Sequence, residues 1–75
     1  MYITNDIAER IRERVSSQGK RIKVMLTELH LGINTISEFA KGKQISCISL
    51  ARIADYLDCS VDYLLGRTDN PEVNK

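Results

Sequence analysis

Apolar residues return along this chain every three or four positions, and almost nowhere at spacing two. Ile7, Ile11 and Val15 recur in one stretch, and Ile22, Met25, Leu26 and Leu29 in the next. Such spacing gathers the residues on one face of a helix. Alternating strand patterns and hairpin dipeptides such as Asn-Gly are absent. Glycines at 19, 32, 42 and 66 break the pattern, so no helix can run far. A short helix is marginal alone and must bury its apolar stripe on a neighbour. Short helices on short links pack against the helices next to them in sequence. The expected fold is therefore all-α, a compact bundle of five short helices.

The element bounds follow from caps. Asp6 with Glu9 has capping-box spacing, and Gly19 closes the first helix, placed at about 5–17. The second stripe predicts a helix at about 21–29. A third, at about 33–41, has Ile36, Phe39 and Ala40 inward and Gly42 just past its end. Ser46 suits the N-cap of a fourth, at about 47–57, and Ser60 that of a fifth, at 61–65, stopped by Gly66. Ile48, Leu50, Ala51, Ile53, Ala54 and Leu57 make the fourth helix apolar on most sides, as a central helix requires. Residues 1–69 form the expected domain. Residues 70–75, polar and containing the chain's one proline, form an expected flexible tail.

Seventy-five residues suffice for one small core, and with no Trp and one Phe that core must be mainly aliphatic. Cys47 and Cys59 are too few for a disulfide scaffold and read as small apolar residues. With a single His they offer no zinc spacing. No nucleophile with a base, carboxylate pair or phosphate loop stands out, so an enzyme, a cofactor, a metal and a small-molecule ligand are not expected. No signal-like start and no apolar run near the roughly 20 residues of a membrane span are present, so the expected location is the cytoplasm, away from membranes.

Net charge is +1, but its distribution is uneven. Residues 1–44 carry eight basic and five acidic residues, and residues 45–75 carry three and five. The basic first part suits a polyanion. Helices two and three, joined by a turn around His30 and Leu31, have helix-turn-helix form. In that arrangement one helix braces on the DNA backbone while the next enters the major groove. Its outer face must then bond base edges. Ile33, Asn34, Thr35, Ser37 and Glu38 supply such groups. Asn pairs with adenine, Ser and Thr serve either partner, Glu accepts from cytosine, and Ile meets a thymine methyl. Lys20, Arg21, Lys23, Gly32, Lys41, Lys43 and Gln44 are the candidates for phosphate, Gly32 through free N–H groups at the helix start. Arg10 and Arg14, four apart in the first helix, could also follow the backbone or simply face solvent.

The stretch TISEFAKGK at 35–43 resembles the recognition helix of the Cro/CI repressors, the XRE family. SLARIADYLDCSVDYLLGRTD at 49–69 resembles that family's closing helices, and the spacing of Met25, Leu29, Leu31, Ile36 and Phe39 its buried positions. The likeness spans about residues 6–69. It implies a lambda-repressor-like helix-turn-helix domain and a sequence-specific regulator that binds double-stranded DNA. It further implies a repressor of phage or mobile-element type, acting on a palindromic operator as a homodimer at least on DNA. Four positions depart from the family pattern. Ile22 replaces a phosphate-bracing Gln, leaving Arg21 or Lys23 to substitute. Leu26 replaces an Ala, which implies a wider helix crossing or a slight rotation. His30 replaces the turn Gly, and Gly32 replaces a Ser or Thr cap. A dimer would use Tyr63 and Leu64 or the first three residues. The alternative function is a protein-interaction module, such as an antitoxin or adaptor with secondary DNA binding. A toxin-binding tail should, however, be longer and more apolar than RTDNPEVNK.

Overall fold

In the computed structural model, which describes residues 2–72, five helices and no strand are found among the described residues. They are α1 (Thr4–Ser17), α2 (Ile22–Glu28), α3 (Thr35–Ala40), α4 (Cys47–Tyr56) and α5 (Val61–Leu65). Each stops in the same way. The residue directly after α5, and the one a place further on after each of the other four helices, takes a left-handed conformation, and the next amide reaches back five residues. Lys20 N–H donates to Val15 O at 3.0 Å, Leu31 to Leu26 at 2.8 Å and Lys43 to Glu38 at 3.1 Å. Cys59 donates to Ala54 at 3.0 Å and Arg67 to Asp62 at 2.9 Å. This motif satisfies carbonyls that a helix end leaves open. Glycine takes the left-handed place after three helices, whereas His30 (φ 59°) takes it after α2 and Asp58 (φ 52°) after α4. For these two the conformation costs on the order of 1–2 kcal/mol, so the surrounding contacts must hold it.

Ile7, Ala8, Ile11 and Val15 of α1 and Leu50, Ile53 and Ala54 of α4 join Met25, Leu26, Ile36, Phe39, Leu57, Cys59 and Leu64 in one core. Among the described residues no buried polar or charged residue interrupts it. The closest helix pairs are α1 with α3, α1 with α5 and α4 with α5. α2 belongs to none of these pairs and enters the core through the side chains of Met25 and Leu26. The radius of gyration, 11.3 Å, is close to the roughly 11 Å of a compact chain this long.

Several expectations need correction. The capping box at Asp6 and Glu9 does not form. α1 begins at Thr4 behind an extended Ile3, so Asp6 lies in the first turn and Glu9 instead accepts from Arg12 at 3.3 Å. α3 begins at Thr35, two residues later than expected, because Thr35 N and Oγ1 both donate to Gly32 O, at 3.0 and 2.6 Å. That turn uses up residues 32–34, so six residues link α2 to α3. Ile48 is 68% exposed and Cys47 is also exposed, both on the first turn of α4. In the tail, Ser60 N–H donates to Pro71 O at 2.9 Å, and the side chains of Thr68 and Asn70 accept from Asn70 N and Glu72 N. Residues 73–75, the rest of the expected tail, lie outside the described residues.

Candidate nucleic-acid interface

Ile36 and Phe39 bury the inner face of α3, with Ala40 half-buried beside them. At 100° per residue that leaves Asn34, Ser37 and Lys41, spaced three and four apart, on the opposite face. All three are exposed, and none of their side chains makes a hydrogen bond or ion pair among the described residues. Ile33, 64% exposed, adds an apolar group at the start of this stripe.

Two expected base readers are occupied. Thr35 Oγ1 holds the turn by donating to Gly32 O. The carboxylate of Glu38 pairs with Lys43 Nζ at 2.7 Å, across a cleft that Thr35, Phe39 and Gln44 also line. Both partners are largely in water, so the pair contributes less than about 1 kcal/mol and exchanges readily. Gly32 does not open α3. It lies upstream of the N-cap, Asn34, and its carbonyl rather than its N–H takes part in the turn.

The cations sort by location. Around the C-terminal end of α4, Arg14 donates to the carbonyls of Leu57 and Asp58, both at 3.1 Å, and its guanidinium lies 6.0 Å from the Tyr63 ring. Gln18 Nε2 donates to Leu57 O at 2.6 Å. Lys20 Nζ donates to Tyr56 O at 3.1 Å while sitting 4.5 Å over the Tyr56 ring. Cations suit this helix end because its carbonyls carry partial negative charge. Arg14 and Lys20 are thus engaged within the fold, and Arg10 lies over Gly66, its Nε 3.2 Å from where a Cβ would stand. By contrast Arg21, Lys23 and Lys41 are exposed and make no side-chain bond among the described residues. Gln44 is exposed beside Lys43.

Sequence reasoning gave no role to Arg52. Its guanidinium donates to the carbonyl of Leu29, the C-cap residue just past α2, at 2.8 Å. The only signal for it was a single cation within the largely apolar SLARIADYL. Among the described residues no group of three or more His, Cys, Asp or Glu could hold a metal, and no helix is long and apolar enough to cross a membrane. No family model matches the chain, and no curated protein or solved structure matches it significantly.

Proposed function

We propose that the protein is a sequence-specific double-stranded DNA-binding regulator, a repressor in the manner of the Cro/CI family, with α3 in the major groove. On this reading the bundle is a lambda-repressor-like helix-turn-helix domain. The observation that carries it is the unpartnered stripe Asn34–Ser37–Lys41, with Ile33 at its head, fixed to the core by Ile36 and Phe39 behind it. A groove-reading helix needs this construction: an anchored back, and a front whose hydrogen-bonding groups are not used internally.

Asn34 and Ser37 read base edges, Ile33 packs on a base methyl, and Lys41 meets phosphate past the end of α3. Arg21 and Lys23 hold the backbone from the start of α2. Lys43 leaves Glu38 for phosphate, which frees the Glu38 carboxylate to accept from cytosine N4. Four cations per protomer give a salt slope of roughly −3 to −4. Two protomers on half-sites one helical turn apart would form the regulator. Of the residues expected at a dimer contact, Leu64 is fully buried in the monomer and Tyr63 partly buried, Met1 lies outside the described residues, and Tyr2 and Ile3, each more than half exposed, are open to a second copy.

The test is selection of bound duplexes from a random DNA pool at two salt concentrations. A palindromic or half-site motif with steeply salt-dependent binding is expected. Binding without a motif would sink the regulator reading and turn attention to a protein partner.

A further inference from the structure

The first helix of the proposed motif, α2, is fastened unlike the second, α3. α3 sits close against α1, and Thr4 Oγ1 reaches Ala40 O at its far end, at 3.5 Å. α2 has no such close helix partner and is instead tied to α4 by side chains. On its N-terminal side, Lys20 is held by the ring and carbonyl of Tyr56. On its C-terminal side, the Tyr56 phenol lies beside the Glu28 carboxylate, which pushes the phenol pKa up, and Arg52 holds Leu29 O. The next residue, His30, is left-handed without being glycine. A conformation that costs energy persists only where neighbouring contacts over-determine it. Here those contacts are the back-bonds of His30 N–H to Thr27 O at 3.1 Å and Leu31 N–H to Leu26 O at 2.8 Å, together with the Arg52 tether.

α2 carries the phosphate contacts Arg21 and Lys23, and α3 carries the base readers. With α3 fixed on α1 and α2 on α4, the α4 tether sets the distance and angle between the two sets. We propose that Arg52 is a positioning residue of the DNA interface: by holding the Leu29 carbonyl it fixes the turn at His30 and keeps backbone and base contacts in register, so that it governs sequence selectivity without touching DNA. This role rests on the DNA-binding reading above.

The test uses the full chain with Arg52→Gln and Arg52→Lys. In the free protein, amide exchange followed by NMR should speed up for His30 and Leu31 in R52Q while amides of α1 and α5 keep their wild-type rates. R52K, which retains a donor and the charge, should behave like wild type. On DNA, R52Q should lose roughly 2- to 30-fold in affinity for a selected duplex. Its affinity for a scrambled duplex and its salt slope should not change, and R52K should restore selectivity. Unchanged exchange in the turn overturns the proposal. So does equal loss on both duplexes, which would make Arg52 an ordinary phosphate contact, and so does an R52K as unselective as R52Q. A wild-type protein that prefers no duplex overturns the DNA reading and this role with it, even if the exchange data show that Arg52 holds the turn.

Discussion

At the C-terminal end of α4, Arg14, Gln18 and Lys20 all donate to backbone carbonyls, whereas on the face made by α2 and α3 the side chains of Arg21, Lys23, Asn34, Ser37 and Lys41 donate to nothing among the described residues. The two regions draw on similar residue types. What separates them is whether unsatisfied carbonyls lie within reach. A helix end buried against a neighbour presents such carbonyls, and cations that reach them are spent on stability. A face with no such neighbour keeps its donors for a ligand. The number of basic residues in a segment therefore says less about binding than their partners do.

This contrast can be broken by substitution on either side. Arg14→Gln should have the largest effect, a loss of about 2–3 kcal/mol in stability, since it removes two charge-assisted bonds to carbonyls. In a domain this small that lowers Tm by roughly 10 °C or more, readable by circular dichroism, with DNA affinity of the folded protein unchanged. A Tm left in place would mean that the α4 cap is dispensable. Asn34→Ala should do the reverse. Specific binding should weaken by about 1–3 kcal/mol and one base position should relax, with stability within about 0.5 kcal/mol of wild type. An unchanged base preference in repeated selections would remove Asn34 from the reading face.

Lys43→Ala sharpens the comparison, because Lys43 is paired with Glu38 in the structure and is, on the proposed reading, a phosphate contact on DNA. Its loss should reduce the salt slope by about one unit and weaken all duplexes alike. Stability should barely move, because the bridge to Glu38 is exposed. A slope that stays put would leave Lys43 with Glu38 alone. The smallest effect is a pH dependence. Burial pushes the Cys59 thiol above its ordinary 9.0, an effect that nearby Arg14 partly offsets. The unfolded chain then loses this proton at lower pH than the folded one, so stability is intact below about pH 9 and falls as pH rises beyond it. Cys59→Ala should flatten this fall in pH-dependent melting curves, and an equally steep fall in the variant would assign it elsewhere.

Local signals made much of the architecture legible. Ser46 and Ser60 accept from Ser49 N and Tyr63 N, both at 3.0 Å, because a short side-chain oxygen at an N-cap needs only its own helix to act. Gly19, Gly42 and Gly66 stop their helices for an equally local reason. Asp58 escaped notice since Asp enters the left-handed region only occasionally, so its presence does not mark a stop as glycine does. The start of α3 was misplaced because Thr35 competes for Gly32 O through its side chain, which periodicity cannot reveal. Within the candidate site, the outward direction of Asn34, Ser37 and Lys41 was readable from the buried Ile36 and Phe39, three apart. The pairing of Glu38 with Lys43 was not, since it depends on how the chain turns at Gly42.

The sequence by itself thus determined five helices, the glycine stops of three of them and most of the apolar faces they bury, because helix period, capping and left-handed turns act over a few residues. Only the tertiary structure decided which cations were spent and which were free. It brought Arg14 and Lys20 to the end of α4, across 43 and 36 positions of chain, and Arg52 to the end of α2, across 23. Such contacts are set by how helices pack, and a donor's role depends on the carbonyl that packing brings to it.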